Sequence, residues 1–420
     1  MQFSHLKNWI LKNIVTPQRI QLVSLWYLLS LMVEERKHSL TAAATLSGMN
    51  KSQFSRFLKS HHNIAIQKLD NLSKSQAKQF GKVLKCLQDS LHWKIAIIVD
   101  STIQHRSTRH TENGKKFNHG QGFVIGHQWT NIILIINGMI IPLPPIPYYS
   151  KKYCNTNGLT YNTEHELIIE YFESLNLKDY GLNCKPQEVI VLGDSGYDDQ
   201  NIEKAIVKKE WNFIIALKKT RSVKSKEQFK KTRKNENWTQ IAEFFRTHRW
   251  LKWQTIHISV NRHKKKRMDF RTRHFKGHLR YIGEVLLVCS EFKKRPDGRR
   301  KYLACNDLKA TARQILIGYR IRWSIETFHK KVKMFLGFED VATWNFNSVQ
   351  SHVHWVYCAY LLLEAGPPGV TSKTKSMVEK QQKIRKIIGS KKISNEIQIL
   401  TQINGKESLK NELKRALQVA

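Results

Sequence analysis

The sequence predicts an α/β protein: a mixed-sheet core interrupted by a β-rich insertion, preceded by an all-α N-terminal domain and followed by a helical tail. Three observations carry this. Residues 1–90 space their apolar positions helically, with no proline after Pro17. Between residues 94 and 217, short apolar runs alternate with helical stretches in the order βββαβαβ, the order of a mixed sheet whose strand ends deliver residues to a site. Residues 219–310 then read as strands again.

In chain order, the N-terminal region contains Ser39–Leu58, which has the pattern of a helix-turn-helix. Ala44 and Gly48 suit the crossing and the turn, and Met49 fills the space beneath it. Phe54, Phe57 and Leu58 anchor the second helix, which would offer Lys51, Gln53 and Arg56 to a DNA groove. A plain pair of antiparallel helices would show the same spacing. From residue 94, Lys94-Ile-Ala-Ile-Ile-Val-Asp100 is a strand ending in an acid. Asn131–Ile136 and Met139–Leu143 flank Asn137-Gly138, a strong two-residue hairpin signal. Thr163–Leu175 has helical periodicity, and Glu188–Asp194 is a second strand ending in an acid. Asn201–Glu210 reads as a helix, with Asp198 and Asp199 either capping it, the favoured reading, or supplementing Asp194, and Asn212–Leu217 reads as a strand.

The charge-dense stretch Lys218–Lys234 reads as a connection. Trp253–Val260, Met268–Thr272, Leu279–Cys289 and Tyr302–Ala304 read as strands, with Arg295-Pro-Asp-Gly298 as a turn. The domain boundaries that follow are 1–90, a core of 91–218 plus 311–366, an insertion of 219–310, and a basic tail of 367–420.

Composition narrows the partners. With 71 Lys+Arg against 33 Asp+Glu the net charge is +38. A field of that sign attracts polyanions, nucleic acid first among them. The chain is also rich in Asn and Ile, so AT-rich coding accounts for part of the lysine content but not for the scarcity of acids. The six cysteines form no C-x-x-C pair and read as buried hydrophobes in a reducing compartment. No secretory signal is evident, the apolar stretch 129–149 is broken by Gly138 and prolines, and 352–366 is too short to span a bilayer. A cytoplasmic protein without a membrane partner is expected.

The most informative run is Tyr319–Lys333. On a helix of about 100° per residue, Tyr319, Arg322, Glu326, Lys330 and Lys333 share one face within roughly 80°. Ile321, Ile325, Phe328, Val332 and Phe335 line the other. A lone acid among cations is either a solvated face with i, i+4 pairs or part of a site handling a polyanion. Two strand-terminal acids upstream, Asp100 and Asp194, favour the second reading. Three such carboxylates can hold two Mg²⁺ about 3.5–4 Å apart, with Mn²⁺ able to substitute, since both are hard cations that prefer oxygen.

These residues resemble the DDE transposases of the bacterial insertion-sequence family that carries a Tyr-(2)-Arg-(3)-Glu-(6)-Lys signature. Tyr319, Arg322, Glu326 and Lys333 match its spacing, Asp100 in Ile97–Thr102 matches the first acidic motif, and Asp194 in Gly193-Asp-Ser-Gly-Tyr197 the second. The resemblance spans about residues 90–340. One departure is that Trp211 and Phe213 fall a few residues later than the aromatic this family places after the second motif.

The resemblance implies an RNase H-like core with Asp100, Asp194 and Glu326 as catalytic metal ligands. It also implies binding of transposon end repeats, cleavage that frees a 3′-OH, and strand transfer into target DNA, with a dimer joining two ends. Several members flip a base at a hairpin end. Tyr319, Arg322 and Lys333, with Lys330, would then grip the flanking phosphates, and an aromatic must stack on the base. Trp238, Trp250 and Trp253 are candidates that core packing would equally explain; Trp323 lies beside the polar face. His105, His119 and His127 follow the first acid, where core or surface roles are the simpler reading. A nuclease without strand transfer and a DNA-binding protein whose catalysis has lapsed are the alternatives.

Overall fold

The computed structural model describes residues 2–33, 37–106, 110–119, 122–231, 236–248, 250–261, 266–294, 299–341, 343–366 and 376–390. Five helices open the chain: α1 Phe3–Asn13, α2 Gln18–Val33, α3 Leu40–Ser47, α4 Lys51–Ser60 and α5 His62–Phe80. Next come strands β1 Ile95–His105, β2 Lys115–His119, β3 Gly122–Ile136, β4 Met139–Pro142 and β5 Ile146–Pro147. Helices α6 Lys151–Asn157 and α7 Glu164–Ser174 lead to β6 Val189–Gly193, α8 Gln200–Lys208 and β7 Asn212–Leu217. Then follow β8 Ser222–Ser225, α9 Lys226–Lys231, β9 Thr239–Gln240, α10 Ile241–Thr247, β10 Gln254–Asn261, β11 Lys266–Leu279, β12 Gly283–Phe292 and β13 Lys301–Cys305. The chain closes with α11 Ala312–Ile321, α12 Trp323–Phe335, α13 Phe346–Ala365 and a helix, α14, over residues 377–390. None of the described helices is long and apolar enough to cross a membrane.

The chain divides into two compact units, residues 1–72 with 331–420, and residues 73–330. In the first, α13 is buried along nearly its whole length, its second half almost wholly apolar and its first half carrying buried Ser, Gln and His side chains, as a central helix can when those groups find partners. It packs against α2 and α4. Tyr27 Oη donates to His352 Nδ1 at 2.6 Å, and His352 Nε2 donates to the Gly337 carbonyl at 2.8 Å, so the buried imidazole is satisfied at both nitrogens. α3 and α4 cover the Ser39–Leu58 pattern as two helices in sequence, as a helix-turn-helix or a plain helical pair would. Gly48 takes the left-handed conformation between them at φ 72°, and Asn50 caps α4 in a capping box with Gln53.

In the second unit the described strands form one sheet of order β2-β3-β1-β6-β7-β13-β12-β11-β8-β9, with β4 and β5 on β3 and β10 on β11. β1 runs antiparallel to β3 and parallel to β6, and β6 parallel to β7. An antiparallel hairpin joined to parallel strands through its first member is consistent with an RNase H-like core. Apolar runs such as Ile95–Ile98 and Val189–Leu192 are buried throughout, as parallel strands covered on both faces require. Asn137 and Gly138 turn at φ 51° and 79°, which suits the two-residue hairpin. The Asn137 amide also donates to the Phe80 and Val83 carbonyls at 2.7 and 2.8 Å, fastening the chain entering the core.

Several sequence expectations are corrected. β1 does not end at Asp100 but continues to His105, because Ser101–His105 pair with Gly126–Thr130. β3 correspondingly begins at Gly122. The stretch Lys218–Lys234 is not a plain connection: β8 and α9 lie within it. β8 is held there by Lys224, fully buried, whose ammonium stands 4.8 Å from the Trp238 ring centroid. β11 is far longer than Met268–Thr272. The insertion strands join the core sheet directly, since β13 pairs with β7 through Tyr302↔Leu217 to Cys305↔Ile214. The turn expected at 295–298, the basic residues 262–265 and most of the tail lie outside the described residues.

Candidate active site

The parallel ladder between β1 and β6 covers only Ile95–Ile98 and Val189–Leu192. Just past its carboxyl end stand Asp100, opposite Asn131 on β3, and Asp194, the residue after β6. This is where open α/β sheets place their ligands. Asp100 Oδ1 accepts from the Ser101 amide at 3.0 Å. Asp194 caps a 3₁₀ turn, accepting from the Gly196 amide at 2.8 Å. A Cβ on Gly196 would lie 3.0 Å from that carboxylate, which leaves little room for a larger residue.

The third acid comes from α12. The expected single helix over Tyr319–Lys333 is interrupted at Arg322, where the amide reaches back three residues to Tyr319 at 3.1 Å and Ile325 does the same to Arg322. This tight turn separates α11 from α12 without a proline or glycine. Ile325, Phe328 and Val332 are fully buried as expected. The polar side is less exposed than a solvated face would be: Arg322 keeps only 9 % of its surface. Its guanidinium bonds Glu326 and lies 3.9 Å from Asp100, with Tyr319 beneath it at 5.7 Å.

The three acids feel one another's charge. Burial, and next the charge of Asp194, push the Asp100 carboxyl from its ordinary value near 3.8 up to about 6; Glu326 adds to this and Arg322 opposes it. Burial raises the Tyr319 phenol and lowers the Lys301 ammonium. Lys301 lies 5.4 Å from the Tyr319 ring.

A consequence can be measured on the metal-free protein. An acid whose folded pKa exceeds its unfolded value contributes stability below the unfolded value, and that contribution is lost as pH rises through the folded one. Asp100→Asn should therefore melt at a higher temperature than the wild type above pH 6, gaining up to about 3 kcal/mol. The two should melt alike near pH 4. Equal melting at pH 8 would contradict the burial and crowding of this carboxylate.

The remaining expected residues divide. Trp323 is 64 % exposed and lines an apolar cavity of about 860 Å³ with Phe270, Phe292, Lys301, Tyr319 and Arg322. Trp253 is half-buried, its ring faced by Arg271, Arg273 and Arg300 at 4.8, 4.5 and 5.4 Å. Trp250 is exposed, away from this cavity, against a separate groove. Lys330 is exposed, whereas Lys333 belongs to the first unit and pairs with Glu339 at 3.1 Å. Lys51 and Arg56 are exposed on α4, while the Gln53 side chain accepts from the Asn50 amide at 3.1 Å. Asp199 caps α8, but Asp198 is buried against Arg221. His127 is a core residue, its imidazole lowered to about 4 by burial, and His105 is exposed.

Two features were not anticipated. Lys301 arrives on β13 from a run with no motif. Asn131, beside Asp100, is 3.0 Å from His329 Nε2, which links β3 to the helix of Glu326; only the i, i+3 spacing from Glu326 hinted at it.

Among the described residues, no group of three or more His, Cys, Asp or Glu stands ready-made to hold a metal ion. The chemistry of the donors nevertheless fits a hard divalent cation: three carboxyl groups, all oxygen donors, one of them destabilised as an anion by burial and then by Asp194.

The fold and site define an α/β protein with acids gathered at the carboxyl ends of parallel strands. Residues 170–362 match the family described as Transposase DDE domain. Over these residues, a little under half of the chain, the sequence is similar to that family. The match includes Asp194, Tyr319, Arg322, Glu326 and Lys333 and begins after Asp100. No curated protein matches the chain.

Proposed function

We propose that the protein is a cut-and-paste DNA transposase that binds terminal inverted repeats, cleaves the transposon ends and joins the freed 3′-OH to target DNA. The convergence of Asp100, Asp194 and Glu326, with Asp100 raised to about 6, carries this reading. Asp100, Asp194 and Glu326 would hold Mg²⁺ or Mn²⁺ in a two-ion arrangement. Bound there, such ions activate the attacking oxygen and offset charge on the leaving one.

The chain's own groups do the positioning. Arg322 neutralises Asp100 and Glu326 in the metal-free protein; once cations take over that role, its guanidinium serves a phosphate of the bound strand. Tyr319 supports that guanidinium from below, and Lys301 adds a second cation on the same side. The apolar cavity beside them suits an unstacked base, with Trp323 at its rim. The exposed Lys51 and Arg56 of α4 suit DNA contact, and Gln53 would leave its capping role to reach a base. A dimer that joins two ends, in the bacterial cytoplasm on nucleoid DNA, completes the reading.

A Mg²⁺-dependent assay on the repeats that flank the gene tests it. Cleavage and joining are expected. Cleavage without joining would make the protein a nuclease, and binding without cleavage a DNA-binding protein with lapsed chemistry. A second readout needs no activity: Mg²⁺ or Mn²⁺ should raise the melting temperature of the wild type and leave Asp100→Asn unchanged.

A further inference from the structure

The sheet extends past the acids into a structure that the site does not use. Beyond Asp100, β1 pairs with β3, and the start of β3 pairs with β2 in the register Lys115↔Gly126. The segment after β5 folds back on them: the Tyr148 amide donates to the Gln128 carbonyl at 3.1 Å. Asn113, buried at φ 56°, brackets this segment, donating to the Tyr148 carbonyl and accepting from the Ser150 amide, both at 2.9 Å. His127 Nε2 donates to the Glu112 carbonyl at 2.8 Å, pinning the turn that carries Asn113. Buried polar bonds thus build a platform rather than a loose loop.

Aromatic rings and ammonium groups pair on it. Lys115 stands 4.5 Å from the Tyr148 ring and Lys151 5.1 Å from Tyr161, whereas Lys116, the next residue of β2 and so on the other face of that strand, stands 3.8 Å from Phe123. The Tyr148 and Tyr161 hydroxyls are 2.8 Å apart. Phe123 remains 46 % exposed. In segments 110–119 and 148–153, four lysines (115, 116, 151 and 152) face one acid, Glu112. A ring under an ammonium group restricts a flexible side chain, so these charges are partly pre-ordered. Tyr148 is tied to Gln128, which is opposite Ile103, three residues along β1 from Asp100. At about 3.3 Å per residue that is about 10 Å, or about three phosphates of one strand.

We propose that this Lys–Tyr platform grips the backbone of the duplex DNA adjoining the scissile phosphate. The proposal rests on the DNA-cleaving reading above and adds a binding surface that lies wholly before the matched residues 170–362. The ammonium groups contact phosphates, and the rings fix their positions without reading sequence. An interface between two copies of the chain would present the same rings, but the unbalanced lysines would repel each other across it.

The test uses the full chain and a labelled duplex spanning a terminal repeat and its flank, with affinity followed against salt concentration. Lys115→Ala and Lys151→Ala combined should weaken binding at least about tenfold and reduce the magnitude of the log–log salt slope by about 1.8, at about 0.9 per phosphate contact. Tyr148→Leu keeps every charge; it should weaken binding severalfold with little change in slope. Thermal melts and the Mg²⁺ shift confirm that the variants are folded. Wild-type affinity and slope in the double-lysine variant overturn the platform and leave the function standing. Loss of self-association at unchanged DNA affinity likewise overturns it in favour of a protein interface. If the wild type itself binds no duplex, the functional reading falls as well.

Discussion

Exchange of Glu326 for Gln is expected to reduce DNA cleavage at least about a thousandfold, equivalent to about 4 kcal/mol of barrier, while leaving end binding within a few-fold of the wild type. The side chain keeps its shape, and Arg322 keeps Asp100 as an ionic partner, so the helix should remain in place. Only the charge that would hold a cation is lost. Gel-shift binding and cleavage measured on the same duplex separate the two effects. Loss of binding in parallel with cleavage would show that Glu326 organises the DNA-facing surface instead of the chemistry.

The second large effect concerns stability. Arg221, in the turn leaving β7, pairs with Asp198 at 3.4 Å and with Glu203. Both acids are almost wholly buried, and burial raises both carboxyls. Asp198 also accepts from the Lys218 amide at 2.7 Å. Replacing Arg221 with Ala leaves two buried carboxylates without their cation, a change that typically costs about 3–5 kcal/mol. Thermal melting should show a clear fall, larger at pH 8 than at pH 5, because protonation relieves the stranded acids at low pH. Arg221→Lys should recover part of the loss. A melting temperature independent of Arg221 would mean that the acids are neutral throughout.

What the sequence revealed follows from which interactions are local. The Asn137-Gly138 turn and the Asp199 cap each depend on neighbours within four residues, and each is visible as a pattern. β7 was read with its observed bounds because an apolar run flanked by polar residues marks a buried strand. Three features were hidden for the opposite reason. Ser101–His105 are polar enough to resemble a loop, and only pairing with β3 makes them a strand. Lys224 is a buried lysine whose ring partner lies in another element. Arg322 was read as a phosphate grip, but its burial against Glu326 and Asp100, the latter more than two hundred positions earlier in the chain, was not visible. Asp194 follows a strand and Glu326 sits on a helix, as their patterns suggest, whereas Asp100 was taken as a strand end although β1 runs on to His105.

The pairing of β13 with β7 has a further consequence. The chain leaves the core at Leu217 and returns at Lys301, and Tyr302 lies directly opposite Leu217. Topologically, everything between is one very long hairpin loop closed by a short antiparallel ladder. Such a junction lets related chains exchange the whole segment as a cassette, varying its size and content without re-registering the strands that hold Asp100 and Asp194.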